Sequence, residues 1–176
     1  KTEYGVIFPG PAMLVSLQDQ MDRFEELLRR LNEITTFKVV PMTGQYNSRG
    51  YSQLLFDRTG RVKGVKFTAS GEAAEAPSLV EAVKGADAIL VLGSDPLLDL
   101  PLGLARSFAA APIIAIDPRR SLTADVARVV IPSAISGLET GGTALRTDGV
   151  RVTFEPSMKT NQLADEQILT RIMEAI

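Results

Sequence analysis

The sequence contains no cysteine and no histidine. That joint absence removes thiolate nucleophiles, disulfides, the usual structural zinc sites, cysteine-ligated iron–sulfur clusters, every Ser/His/Asp triad and the commonest general base. Carboxylates, Lys, Ser, Thr, Tyr and Arg remain, so binding is the default expectation, and no catalytic residue or metal ligand is assigned. An excess of one charge is lacking too. The 19 Lys and Arg stand against 21 Asp and Glu, a net charge of −2, which is too even to hold a nucleic-acid backbone. No apolar run reaches membrane-spanning length, and Lys1-Thr2-Glu3-Tyr4 does not open a signal peptide. The expected location is therefore cytoplasmic, with no membrane or nucleic-acid partner. The first residue is not Met, which points to a part of a longer polypeptide or a processed one. Two phosphate-binding motifs are missing as well: no G-x-G-x-x-G follows the first strand and no G-x-x-x-x-G-K-[ST] occurs.

What is present is an ordinary globular composition, 45% hydrophobic and 23% charged over 176 residues, which the usual prior assigns to a single domain spanning 1–176. Residues 4–8 (YGVIF) read as a buried strand closed by Pro9-Gly10-Pro11. Over 16–32, Leu17, Met21, Phe24, Leu27, Leu28 and Leu31 recur at helical steps among charges, predicting an amphipathic helix. A second strand covers 37–40, and 43–50 lacks any period and reads as a loop. Residues 61–67 suggest an edge strand or excursion. Pro77-Ser78 opens a helix to Lys84 that Gly85 stops, and 88–92 (AILVL) has the continuous apolar run of a central parallel strand. A helix over 102–110, a strand over 112–116, a short capped helix over 121–125 and a strand over 129–131 follow. Residues 133–156 are irregular and glycine-rich, and a last amphipathic helix covers 164–176. This alternation predicts an α/β fold: a Rossmann-like doubly wound, mostly parallel sheet with an irregular glycine-rich C-terminal segment that wraps over the sheet edge.

Ligands of such sheets lie beyond the carboxyl ends of the strands. Three loops leave such ends here. Gly93-Ser94-Asp95-Pro96 offers a position without a side chain, a hydroxyl and a carboxylate. Asp117-Pro118-Arg119-Arg120 offers a carboxylate at the strand tip and two guanidinium groups suited to phosphate. Thr43-Gly44-Gln45-Tyr46-Asn47 offers amides, hydroxyls and an aromatic face. A carboxylate accepts from two adjacent N–H groups of guanine at once, and adenine has no such pair on that edge. Asp95 or Asp117 thus reads as a guanine contact. The plainer readings stay open: Gly93-Ser94-Asp95-Pro96 as an ordinary turn with Ser94 or Asp95 as N-cap, and Arg119 paired with a surface carboxylate.

Taken together, several segments resemble the molybdopterin oxidoreductase superfamily, and within it the B subunit of formylmethanofuran dehydrogenases containing tungsten or molybdenum. The resemblance rests on Pro41-Met42-Thr43-Gly44-Gln45-Tyr46-Asn47, on Gly93-Ser94-Asp95-Pro96, and on Ile116-Asp117-Pro118-Arg119 with Thr123. It rests further on residues 130–139, which include Pro132 and Glu139, and on 142–150, GTALRTDGV. It covers residues 37–156. It implies a Rossmann-like domain holding one molybdopterin guanine dinucleotide, with Gly93, Ser94, Asp95 and Asp117 at the guanosine and Arg119 and Thr123 near it or the diphosphate. Thr43, Gly44, Asn47, Glu139, Gly142 and Thr143 would lie nearer the pterin.

The resemblance also implies that the molybdenum or tungsten is held by the rest of a larger polypeptide, in an oxidoreductase of methanogenesis and one-carbon metabolism, and that other subunits of the complex are partners. The chain alone, lacking the family's cysteine ligands and histidine, is expected to be inactive. A second reading within the resemblance is a metal-free structural component of a bacterial formyltransferase/hydrolase complex. For residues 131–150, where Ile131, Ile135, Leu138, Leu145 and Val150 alternate with glycines, two expectations stand: self-association through an apolar face, or folding back onto the chain's own sheet.

Overall fold

Short runs of Ile, Leu and Val, each closed by Gly or Pro, are too brief for helices and form the parallel strands of this protein. The computed structural model describes residues 3–17 and 19–176, which fall into two compact units. The first comprises Lys1–Arg58 and Thr143–Val152, the second Thr59–Gly142 and Thr153–Ile176.

The first unit opens with β1 (Tyr4–Ile7), α1 (Pro11–Ser16), α2 (Met21–Ile34), β2 (Thr36–Val39) and α3 (Ser48–Thr59). β1 and β2 pair in parallel, with Tyr4 opposite Thr36 and Ile7 opposite Val39, and α2 buries Phe24. The predicted helix over 16–32 corresponds to α2, which starts later and runs to Ile34, and a separate short helix, α1, precedes it. α1 starts at Pro11, whose missing N–H costs nothing in a first turn. α2 begins at Met21, and Gln18 lies outside the described residues. α3 starts where the sequence reads as loop: Tyr51, Leu54 and Leu55 share one side, Phe56 departs from it, and the helix buries no residue fully.

The second unit continues with β3 (Val65–Phe67), β4 (Ala73–Glu75), α4 (Leu79–Lys84), β5 (Ile89–Leu92), α5 (Pro96–Asp99), α6 (Leu102–Ala110), β6 (Ile113–Ile116), α7 (Leu122–Val126) and β7 (Val129–Ile131). β3 and β4 make an antiparallel ribbon, so the predicted edge strand has a partner. α4 begins with a reciprocal cap: the Glu81 N–H donates to Ser78 Oγ at 3.3 Å and the Ser78 N–H to Glu81 Oε2 at 3.0 Å. Strands β5, β6 and β7 form a parallel sheet in the order β5-β6-β7. Val91 and Ile113 of one face pack with Val83 of α4 and Phe108 of α6 in the core. On the other face, Leu90, Ile114 and Val129 stand in register and all are exposed, Leu90 by 53%. Parallel sheets are ordinarily covered on both faces.

Residues 133–156 are more regular than the sequence reading has them. They contain a hairpin of β8 (Gly142–Leu145) and β9 (Arg151–Phe154), and α8 (Asp165–Glu174) ends the chain. Asp148-Gly149 forms the hairpin turn, with Gly149 at φ +92° and the Arg146 N–H donating to the Val150 carbonyl at 2.8 Å. The Arg146 guanidinium bonds Asp148 and holds its carboxyl at about 2, below the usual range. Within 131–150, Leu138 and Val150 are exposed while Ile131, Ile135 and Leu145 are half-buried. The fold is mixed α/β, and its strands pair as small separate sheets, not as one continuous doubly wound sheet. Among the described residues no helix is long and apolar enough to cross a membrane.

Replacing Phe108 by Ala is expected to cost about 3–5 kcal/mol of unfolding free energy in urea, the usual cost of emptying a buried aromatic site. Leu102→Ala, at an exposed position of the same helix, is expected to change it by less than ~0.5 kcal/mol.

Candidate functional site

Parallel pairing of β5, β6 and β7 brings their carboxyl ends to one edge of the sheet, and the residues just past them make the first cluster. Gly93 leaves β5 at φ +56°, where a side chain is disfavoured, and the position its Cβ would take is open space. Its N–H donates to the Ile116 carbonyl at 2.8 Å, which ties the end of β5 to the end of β6. Ser94 is half-buried, and its hydroxyl has no hydrogen bond among the described residues.

Asp95 stands at the N-cap of α5 without capping it. Its side chain reaches α7 instead. Oδ2 accepts the Leu122 N–H at 3.1 Å, while Oδ1 accepts the Thr123 N–H at 2.9 Å and the Thr123 hydroxyl at 2.6 Å. Burial acts to raise the Asp95 pKa, but the Thr123 hydroxyl, the Thr123 N–H and the Leu122 N–H together leave it below the ordinary carboxylate value. Thr123 is fully buried, and its hydroxyl oxygen accepts the Leu97 N–H at 3.2 Å. Ser121 caps α7 through the Ala124 N–H at 3.1 Å.

Asp117 lies at the tip of β6 and is 7% exposed. Its Oδ1 accepts the Arg119 N–H at 2.8 Å across Pro118, a turn typical of Asp before Pro. Its Oδ2 has no hydrogen bond among the described residues. The Arg119 guanidinium is exposed and without an ion pair among the described residues, whereas Arg120 is held by Asp125 at 2.6 Å. The surface pairing considered for Arg119 thus belongs to its neighbour. Past β7, Ser133 is 2% exposed, and its hydroxyl has no partner among the described residues.

Glu139 turns inward on its own loop, where Oε2 accepts the Ile135 N–H at 2.8 Å. Gly142, at φ +157°, lies against the Phe154 ring, and a Cβ at Gly141 would stand 2.9 Å from the Phe154 carbonyl oxygen. Close packing on β9 is therefore a sufficient reason for both glycines.

The second cluster lies in the first unit. Asn47 ends the loop after β2 in the left-handed region, φ +54°. Its backbone carbonyl accepts the Tyr51 N–H at 3.0 Å, and its side-chain Oδ1 accepts the Leu145 N–H of β8 at 2.9 Å. That placement requires Gly50, where a Cβ would come within 2.1 Å of Asn47 Oδ1. Thr43 and Gly44 are exposed, the Thr43 hydroxyl donating to the Gln45 carbonyl at 3.4 Å. Thr143 lines a cleft of about 360 Å³ with Asn47, Gln53, Asp57 and Arg151. Arg49, not singled out from the sequence, donates to the Thr147 carbonyl and lies against Gly149. Arg49 and Arg151 were legible only through the hairpin, whose Asp148-Gly149 turn was the available signal. No group of carboxylates able to hold a metal ion occurs among the described residues.

No family model matches the chain. It is similar to the B subunit of tungsten-containing formylmethanofuran dehydrogenase 2 of Methanocaldococcus jannaschii, 31% identical over 184 aligned positions, covering 99% of this chain and 42% of that protein. The protein of the same name from Methanococcus maripaludis is 30% identical over 154 positions, covering 83% of this chain and 35% of that protein. Among solved structures it resembles a chain of the formyltransferase/hydrolase complex (FhcABCD) from Methylorubrum extorquens in complex with methylofuran. There the TM-score is 0.73 and the identity 27%, over 98% of this chain and 49% of that one. The chain is thus a distant homologue of the formylmethanofuran dehydrogenase B subunit and of a chain of that complex. It spans less than half the length of each.

Gly50→Ala is expected to dislodge the Asn47 side chain and speed hydrogen exchange at the Leu145 amide. The net stability change is expected to stay under about 1 kcal/mol, because helix propensity gains about 0.8–1.0 kcal/mol while one hydrogen bond is lost. Unchanged protection at Leu145 would show that Asn47 does not hold β8.

Proposed function

We propose that this chain is the carboxyl-side, molybdopterin-guanine-dinucleotide-binding portion of a B subunit like that of formylmethanofuran dehydrogenase. It would serve an enzyme that interconverts carbon dioxide and the formyl group of formylmethanofuran. The observation that carries the reading is Asp117, a carboxylate at a strand tip with one oxygen unspent, on an edge of the sheet that also carries the uncommitted Ser94 hydroxyl and Arg119 guanidinium. In this reading the parallel β5-β6-β7 sheet with α4 and α6 is part of a Rossmann-like, doubly wound element that holds the guanosine end.

The donor set fits that group. Asp117 accepts the two adjacent guanine N–H groups, which adenine lacks, one on the free Oδ2 and one on the second lone pair of Oδ1. Ser94 supplies a hydroxyl, Gly93 leaves room for close approach, and Arg119 meets a diphosphate oxygen. Asp95 and Thr123 stand behind these groups. The resemblance to the B subunit would assign Thr43, Gly44, Asn47, Glu139, Gly142 and Thr143 to the pterin. The bound group, with its molybdenum or tungsten held by the rest of the polypeptide, supplies the redox chemistry. This chain binds and orients it, with other subunits of a cytoplasmic complex as partners.

A second reading, a metal-free structural component of a formyltransferase/hydrolase complex, draws on the resemblance to the Methylorubrum chain. Calorimetry with GDP and ADP separates the two. The cofactor reading expects tighter binding of GDP, and expects Asp117→Asn to weaken GDP by about 1–3 kcal/mol, the range for one charged hydrogen-bonding group, while leaving ADP unchanged. Equal affinity for both nucleotides would sink base recognition, and binding of neither would favour the structural role.

A further inference from the structure

We infer that Asp95 does not meet the base: with Thr123 it forms a crossed latch between two loops, and both act as positioning residues for Asp117 and Arg119. The inference deepens the reading above and rests on it only for the identity of the ligand.

The hydrogen bonds form a closed set. Asp95, at the start of α5, satisfies the first two N–H groups of α7 and takes the Thr123 hydroxyl proton. Thr123, in the first turn of α7, satisfies the Leu97 N–H in the first turn of α5. Each helix is therefore capped by a side chain of the other. α5 has 4 residues and α7 has 5, far below the length at which a helix persists alone, so each depends on these donors being met.

The Thr123 hydroxyl has one proton and gives it to Asp95. Both carboxylate oxygens already accept, Oδ1 twice and Oδ2 once, against the single bond accepted by Asp117, and the charge sits where two helix N-termini favour it. A guanine base would have to compete with three donors already in place. Asp117, by contrast, keeps Oδ2 uncommitted.

The function of the latch follows from its position. The segment Asp117-Pro118-Arg119-Arg120-Ser121 is pinned at one end by β6, where the Asp117 N–H donates to the Ile131 carbonyl at 3.3 Å. At its other end it runs into α7, whose start is held by Asp95 and by the Ser121 cap, with Arg120 paired to Asp125. Releasing the latch frees one end of the loop that carries both ligand groups. The substitutions differ in what they remove. Thr123→Val keeps the shape and deletes the hydroxyl, Thr123→Ser keeps the hydroxyl, and Asp95→Asn leaves one acceptor oxygen for three donors.

Amide hydrogen exchange on the full chain, followed from about pH 6 to about pH 3, is the first measurement. In the wild type the Leu97, Leu122 and Thr123 amides are expected to be protected. Because the folded-state pKa of Asp95 lies below its unfolded value, the latch is complete above 3.8 and is lost as pH falls through the lower folded value. Corrected for intrinsic rates, protection at Leu122 and Thr123 should fall in that window, and Asp95→Asn should show low protection with no such step. Thr123→Val should expose Leu97 and speed exchange over 117–121, and Thr123→Ser should restore both. If Thr123→Val does not fold, the acid step of the wild type and the serine variant decide.

Titration with GDP and ADP is the second measurement. Asp95→Asn and Thr123→Val should weaken both nucleotides alike, by about tenfold, with their ratio kept, while Asp117→Asn lowers GDP alone. An Asp95→Asn protein that loses its GDP preference while residues 117–121 stay protected would overturn the latch and make Asp95 a base contact. Unchanged exchange at Leu97 and over 117–121 in a folded Thr123→Val would overturn it too. A wild type that binds neither nucleotide refutes the proposed function, and the exchange result still decides the latch.

Discussion

Parallel pairing of β6 with β5 on one side and β7 on the other is the constraint from which the rest of the site follows. Parallel strands all end at the same edge, so three loops far apart in sequence emerge side by side there. The bond from the Gly93 N–H to the Ile116 carbonyl carries the pairing one residue past β5. It sets Gly93 and Asp117 each one step beyond its strand, with Ser94 following Gly93. Only then can Asp95 reach α7, and only then does Asp117 stand with an oxygen to spare. The side chains refine this arrangement, but backbone register creates it.

The two carboxylates at that edge show how environment divides identical groups into different roles. Asp95 is surrounded by backbone donors and a hydroxyl that consume its acceptors, and its pKa falls. Asp117 is the more buried by exposure, yet it spends a single oxygen on a turn. The chain has neither cysteine nor histidine. It has what binding needs: a glycine that leaves room, an uncommitted hydroxyl, a carboxylate and a guanidinium without an ion pair among the described residues. The relatives it matches are about twice its length or longer.

The sequence was most legible where local chemistry and periodicity agree. Ser78, Glu81 and Gly85 bracket α4, and α6 has the predicted bounds of 102–110 because its apolar positions and flanking prolines leave no alternative. α3 was not legible, since its start hides in a turn-rich loop and its apolar residues are few, with Phe56 off the side shared by Tyr51, Leu54 and Leu55. The β8–β9 hairpin was missed for the opposite reason. Glycine-rich composition read as irregular, although Asp148-Gly149 between GTAL and RVTF is a strong local hairpin signal. Among the strand-end loops, the sequence could locate Asp95 and Asp117 but not tell them apart. The partners of Asp95 lie 27 and 28 residues away, and such pairings are decided by tertiary structure.

The central claim, that a guanine nucleotide is received at the ends of β5 and β6, is tested most directly by amide chemical-shift mapping of the isotope-labelled chain during titration with GDP. The account predicts that the perturbed amides cluster at Gly93, Ser94, Asp117 and Arg119, with ADP producing markedly smaller shifts at Asp117. Saturable shifts centred elsewhere, such as the Asn47 cleft or the ends of α4 and α6, would contradict it.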